Sequence, residues 1–262
     1  MDKGEYALVI YLDLKKAFDT VNHDILLEKL SYYGFRGNAY SLIQSYLKER
    51  KQYTCVNNVM SDICSIETGV PQGSVLGPLF FLLYVNDIVQ CLHDENATLF
   101  ADDTAVLMHN KNLQQLKRQA EICLSKLYEW LVSNKLSLSI EKTFFIIYHS
   151  KRKIIPKELD HLKLHHFSIQ RVKSIKYLGM ILDENMSWDI HVKQLCNSLS
   201  KYFGVFYNIR NILTKPLKKQ IYLSFIQSRI NYGIELYGAC SQSLLNRRSE
   251  ERRVGKECRS RW

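Results

Sequence analysis

Residues 99–107 read LFADDTAVL, with two adjacent aspartates, Asp102 and Asp103, held between two apolar runs. Both runs have strand character, so the polar pair between them reads as a hairpin turn. Adjacent carboxylates are a poor choice for stability. Like charges this close raise one of the two pKa values unless a cation neutralises them. A third aspartate, Asp13, stands upstream in residues 11–14, YLDL. Oxygen ligands gathered from neighbouring strands suit Mg²⁺, so metal-assisted phosphoryl chemistry is the first hypothesis. An ordinary polar turn is the plain alternative.

The surrounding pattern is mixed. Residues 6–14 alternate as a strand, with Val9, Tyr11 and Asp13 on one face and Leu8, Ile10, Leu12 and Leu14 on the other. A helix is expected over 24–33, opened by Asn22 or His23 and closed at Gly34. A second helix follows over 39–50, then a strand pair over 52–59 and 61–67. The loop Gly69-Val70-Pro71-Gln72-Gly73-Ser74 leads into 78–92, which is apolar almost all round and reads as a buried helix. Strands over 97–100 and 104–108 flank the aspartate pair. A long amphipathic helix over 113–133 ends at Asn134. Strands are expected over 143–149 and 173–183, joined by a basic, poorly patterned connection, 150–170. Helices over 188–210 and 216–232 give the last third a different character.

Composition narrows the class. With 46% hydrophobic and 24% charged residues the chain is globular. A formal net charge of +10 points to a polyanionic partner, nucleic acid or a membrane surface. The most apolar stretch, 78–85, is too short to span a bilayer, and no charged-then-apolar leader opens the chain. Seven scattered cysteines, an odd number without a CxxC pair, favour a reducing intracellular compartment, nucleus or cytoplasm. Residues 248–262, RSEERRVGKECRSRW, have neither period nor turn logic. They resemble the conceptual translation of a sequencing adapter and are read as a non-native tail; a basic nucleic-acid-binding tail is the alternative. Without them the net charge is still +7, because they carry six basic and three acidic residues.

Five segments in series carry a resemblance: YLDLKKAFDTVNHDILLEKL (11–30), GVPQGSVLGPLFFLLYVNDI (69–88), LFADDTAVL (99–107), NKLSLSIEKT (134–143) and KYLGMILD (176–183). Their order resembles the palm of a reverse transcriptase, an RNA-directed DNA polymerase, from a non-LTR (LINE-like) retrotransposon. The resemblance implies an α+β fold: a palm-type polymerase sheet with helices on one face over 1–190, then a helical thumb-like region over 191–247. It also implies an N-terminally truncated chain whose fingers are mostly absent, an incomplete retrotransposon fragment of impaired activity.

The same resemblance assigns roles. Asp13 and Asp102 would bridge two Mg²⁺ ions, with Mn²⁺ as a substitute. Asp103 would be an outer ligand, and the Leu14 backbone carbonyl a further one. Phe18 would exclude a ribose 2′-hydroxyl by steric overlap, against the plain reading of a core phenylalanine. Gly69, Gln72 and Gly73 would form the loop beside the substrate, where glycine lets backbone approach a nucleotide and the Gln72 amide can hold its sugar. A simple turn before a helix is the alternative. Lys142 would protonate the leaving pyrophosphate, against a plain surface lysine. Tyr177, Leu178, Gly179 and Met180 would form the primer grip. Asp19, Asn22 and His23 belong to the same signature and read only as a helix start. Lys193, Lys201, Arg210, Lys215, Lys218, Lys219 and Arg229 would give the thumb-like helices salt-dependent affinity for a duplex. The implied partners are an RNA template, a DNA primer and dNTPs, with no membrane. Two alternatives stay open: a non-catalytic nucleic-acid-binding remnant and a maturase-like RNA-binding protein.

Overall fold

The computed structural model describes residues 4–92, 96–209 and 212–238. The proposed tail, 248–262, and Arg210 lie outside them. The chain divides into two compact units, with the division between Val172 and Lys173.

The first unit is built on β1 (Tyr6–Leu12). It pairs antiparallel on one side with β7 (Asp103–Asn110) and on the other with β8 (Phe144–Tyr148). β6 (Asn96–Phe100) adds outside β7, and β10 (Phe167–Arg171) and β9 (His161–Leu164) complete the order β6-β7-β1-β8-β10-β9. Strand alternation separates two faces. Leu8, Ile10 and Leu12 face one core with Val106, Met108, Phe145 and Ile147. That core also takes Leu26, Leu27 and Leu30 from α1 (His23–Tyr32), and Ile43 and Leu47 from α2 (Gly37–Leu47). Phe80, Phe81 and Tyr84 come from α3 (Leu76–Val85), and Leu116 to Leu131 from α4 (Leu113–Ser133). The opposite face carries Tyr11, whose hydroxyl lies 2.7 Å from that of Tyr148. This is the expected α+β sheet with its helices on one face.

The helix ends follow the sequence. The Asn22 side chain accepts from the Ile25 amide and caps α1, and Asn112 caps α4 through the amides of Gln114 and Gln115. Other expectations need correction. The connection 150–170 contains β9 and β10. Within those two strands only Leu162, Leu164 and Ile169 are buried, too few alternating apolar positions for the pattern to stand out among His and Lys. The helix expected over 78–92 is α-helical only to Val85 and continues as a 3-10 helix, Asn86–Leu92. The strand pair over 52–67 is instead four short strands: β2 (Arg50–Gln52) pairs with β5 (Cys64–Ile66), and β3 (Cys55–Val56) with β4 (Val59–Met60). Asn57 and Asn58, both at positive φ, make the tight turn inside it.

The second unit starts where the residues expected to form one strand, 173–183, fold back as a hairpin, β11 (Ser174–Tyr177) and β12 (Met180–Asp183). The turn falls at Leu178-Gly179, both at positive φ. Among the described residues the hairpin pairs only with itself. The Asp183 carboxylate then accepts from the amides of Asn185, Ser187 and Trp188 and sets the start of α5 (Asp189–Ile209). Met180, Trp188, Val192 and Tyr237 form a small core. The helix expected over 216–232 is broken into α6 (Lys215–Tyr222), a π-helical turn (Leu223–Gln227) and α7 (Ser228–Asn231), before α8 (Ile234–Tyr237). Among the described residues no helix is long and apolar enough to cross a membrane.

Candidate active site

Strand register brings the three aspartates to one corner. Leu12 pairs with Thr104 in an antiparallel ladder, so the next residues outward are Asp13 and Asp103. Phe100 pairs with Asp103, leaving Ala101 and Asp102 as the two-residue loop. Ala101 takes φ +52°, a left-handed backbone that a Cβ disfavours. Burial holds the Asp103 carboxyl above the ordinary carboxylate value, and the charges of Asp102 and Asp13 push it the same way. Burial is the larger cause, and the repulsion added to it is of the kind that a nearby cation relieves.

Asp13 is fixed through its backbone by the 134–143 segment. Its amide donates to the Thr143 hydroxyl at 3.4 Å, and its carbonyl accepts from the Ser139 amide at 2.8 Å. The Lys15 amide donates to the Ser137 carbonyl, completing a bridge of Leu14 with Leu138. Those bonds use the groups of Asp13 and Lys15, so the Leu14 carbonyl takes no part in the bridge. The Lys142 ammonium stands 4.0 Å from the Asp13 carboxylate, on a side chain that is 72% exposed. In solvent at that distance the attraction is weak.

A second cluster joins residues 18–23 to 68–72. The Val70 amide donates to the Phe18 carbonyl at 2.8 Å and the Gly69 amide to the Val21 carbonyl at 2.7 Å. His23 Nε2 lies 2.8 Å from the Gly69 carbonyl oxygen. Gly69 takes φ +90°, and a Cβ there would meet the Asp19 carbonyl oxygen at 2.8 Å, so only glycine fits. The Gln72 amide nitrogen donates to the Asp19 carboxylate at 2.8 Å. Gly73 also has positive φ, with open space where a Cβ would stand. Phe18 is half-buried, its ring 4.7 Å from that of Phe81 and tilted by 40°. Phe18 thus packs on the core and keeps an accessible edge.

Asp19, His23 and Thr143 are the side chains that sequence reasoning passed over. The first two lay in a matched segment and read as a helix start. Their signal was the polar Asp-x-x-x-His spacing ahead of an apolar helix, which means little without the loop that it holds.

Tyr177, Leu178, Gly179 and Met180 lie in the second unit, at the β11–β12 turn. The Tyr232 hydroxyl donates to the Leu178 carbonyl at 2.6 Å, and a Cβ on Gly179 would stand 3.2 Å from the Tyr232 ring. Lys193, Lys201, Lys215, Lys219 and Arg229 are exposed, and Lys218 half-exposed.

Among the described residues no three His, Cys, Asp or Glu side chains converge to hold a metal ion unaided. Mg²⁺ does not require such a cage. It keeps waters and is held by one or two carboxylates together with substrate phosphates. Oxygen donors from Asp13, Asp102 and Asp103, with Asp103 disfavoured as an anion, fit that ion.

Comparison with known proteins agrees with this geometry. The sequence profile of the family described as reverse transcriptase (RNA-dependent DNA polymerase) matches residues 1–182. The RNA-directed DNA polymerase from mobile element jockey of Drosophila melanogaster is 29% identical over 257 residues, covering 94% of this chain and 28% of the relative. A probable RNA-directed DNA polymerase from transposon BS of the same species is 28% identical, with the same two coverages. The chain thus spans little more than a quarter of the length of these curated relatives. Among solved structures, apo telomerase from Candida tropicalis overlaps 68% of this chain and 34% of its own at 15% identity, with a TM-score of 0.48. The profile matches well over half of the sequence, so the chain belongs to the reverse transcriptase (RNA-dependent DNA polymerase) family, alongside the polymerases of non-LTR retrotransposons.

Proposed function

We propose that this chain carries the catalytic core of an RNA-directed DNA polymerase, which adds deoxynucleotides to the 3′-hydroxyl of a DNA primer on an RNA template. The observation that carries the reading is the register that sets Asp13 opposite Asp103 with Asp102 in the adjoining loop. Asp13 and Asp102 are the residues to hold two Mg²⁺ ions, or Mn²⁺ in their place, with the Leu14 carbonyl as a further oxygen and Asp103 as an outer ligand. When bound, such ions lower the pKa of the attacking hydroxyl and offset the charge of the leaving pyrophosphate.

The remaining groups position and protonate. The Phe18 ring, braced on Phe81, overlaps a ribose 2′-hydroxyl and so selects deoxynucleotides. Gly69, Gln72 and Gly73 take the sugar side of the nucleotide. Lys142, facing solvent beside Asp13, gives a proton to pyrophosphate. The Leu178-Gly179 turn seats the primer backbone, and the exposed cations of the second unit supply sequence-independent affinity. Because the chain spans 28% of the jockey polymerase, its activity alone is expected to fall below that of a full-length relative.

Primer extension on an RNA template with Mg²⁺ and labelled dNTPs tests this. Asp102→Asn should lower extension by roughly a thousandfold, the scale for losing one charge-stabilising group, while RNA binding persists. Unchanged extension would sink the assignment. A second reading, a nucleic-acid-binding remnant without turnover, draws on the exposed cations Lys193, Lys201, Lys215, Lys219 and Arg229. Wild-type chain that binds RNA but extends no primer with Mg²⁺ or Mn²⁺ would favour it.

A further inference from the structure

Two segments of the first unit, 18–23 and 68–72, are fastened together by backbone. Val70 donates to Phe18, Gly69 to Val21, and the Thr68 hydroxyl to the Asp19 carbonyl at 3.1 Å. Only one of these contacts involves the Asp19 side chain: its carboxylate accepts from Gln72 Nε2 at 2.8 Å. A carboxamide presents a donor on one side and an acceptor on the other, and the two cannot usually be told apart by shape. Here chemistry decides. An ionised carboxylate only accepts, so the Gln72 nitrogen must face Asp19. Gln72 is exposed, so with its nitrogen engaged on Asp19 the carbonyl oxygen is the acceptor left for a ligand.

We infer that Asp19 is a positioning residue: it locks the Gln72 carboxamide so that an acceptor, not a donor, is offered to the incoming nucleotide. The inference rests on the polymerase reading, in which Gln72 lies at the nucleotide sugar. An acceptor there recognises a sugar hydroxyl by its proton. The matching group is the 3′-hydroxyl, because Phe18 next in sequence excludes the 2′-hydroxyl. Asp19 and Phe18 then divide the sugar between them, one reading the hydroxyl that must be present and the other the hydroxyl that must be absent.

The division gives a test with separate readouts. Equilibrium binding of dNTP, ddNTP and rNTP to the full chain with primer–template and Mg²⁺ is compared for wild type, Asp19→Ala and Asp19→Asn. In wild type, dNTP should bind roughly fivefold more tightly than ddNTP, the scale of one neutral hydrogen bond. Asp19→Ala frees the carboxamide to turn and should bring the dNTP/ddNTP ratio close to one. It should leave the dNTP/rNTP ratio unchanged, because Phe18 is held by backbone and by Phe81. Asp19→Asn keeps an acceptor oxygen and should restore part of the discrimination. If both ratios collapse together in Asp19→Ala, Asp19 merely supports the loop and the inference fails. An unchanged dNTP/ddNTP ratio in Asp19→Ala, or equal wild-type binding of dNTP and ddNTP, also overturns it and leaves the polymerase reading standing. Wild type that binds no nucleotide removes both.

Discussion

The turn at Ala101-Asp102 and the turn at Leu178-Gly179 each reverse the chain in two residues, and each enters the left-handed backbone region. They differ in what surrounds that conformation. At the first, an alanine takes the positive φ and the loop leads into two like charges, one of which is disfavoured as an anion. At the second, glycine takes one of the two positive φ values, and the Tyr232 hydroxyl pins the carbonyl of the other residue. The acidic turn carries an electrostatic conflict that no described side chain relieves by a close ion pair. The other turn is braced as a rigid support. Strain at reactive positions, held by well-partnered structure around them, is the usual trade between stability and activity.

That contrast can be broken most readily at the braced turn. Gly179→Ala adds a Cβ at φ +79° and 3.2 Å from the Tyr232 ring. It should destabilise the chain by about 1–3 kcal/mol, read by denaturant unfolding, and weaken primer–template binding. Tyr232→Phe removes only the hydroxyl and should cost about 1 kcal/mol. Primer affinity should drop while nucleotide affinity holds; equal losses in both would show that Tyr232 does not act through the turn.

At the acidic turn the same kind of change should run the other way. Ala101→Gly relieves the positive φ and should stabilise the chain by about 0.5–1 kcal/mol, visible as a raised denaturation midpoint. The smallest effect is expected from Asp103→Asn. The folded state holds the Asp103 proton more tightly than the unfolded chain, so stability is lost as pH rises from the ordinary carboxylate value through the raised one. Removing the charge should therefore raise Tm at neutral pH without divalent ions, and the gain should vanish below about pH 4. A gain that grew toward low pH would contradict the repulsion assigned to this corner.

The acidic corner was legible in two steps: hairpin spacing puts Asp102 and Asp103 at a turn, and the order of the five matching segments implies that Asp13 joins them. The helix over Leu113–Ser133 was legible from one long stripe of apolar residues ending at Asn134, while its N-terminal cap, Asn112, came only with the structure. β9 and β10 were not, because three buried side chains among histidines and lysines leave no period to read. Their turn, at His165, uses positive φ without a glycine or asparagine to signal it. The π-helical turn at Leu223–Gln227 left no mark either, since an added residue in a helix changes hydrogen bonding and not composition. Asp19 and His23 were visible as residues but not as partners. Their meaning comes from a loop almost fifty positions away, and single-chain spacing does not report contact at that range.

The central position of β1 has a consequence for synthesis. Its two neighbours are β7, reached at Asn110, and β8, reached at Tyr148. An early strand whose hydrogen-bonding edges both wait for late ones makes the fold rich in distant contacts, which slows folding. On the ribosome the Tyr6–Leu12 segment stays unpaired on one edge until Phe144–Tyr148 has emerged. Asp13 meets its backbone partners Ser139 and Thr143 only then. A chain ended before residue 139 keeps the residues of the β1–β7 register but lacks the Ser139 and Thr143 groups that hold the backbone of Asp13.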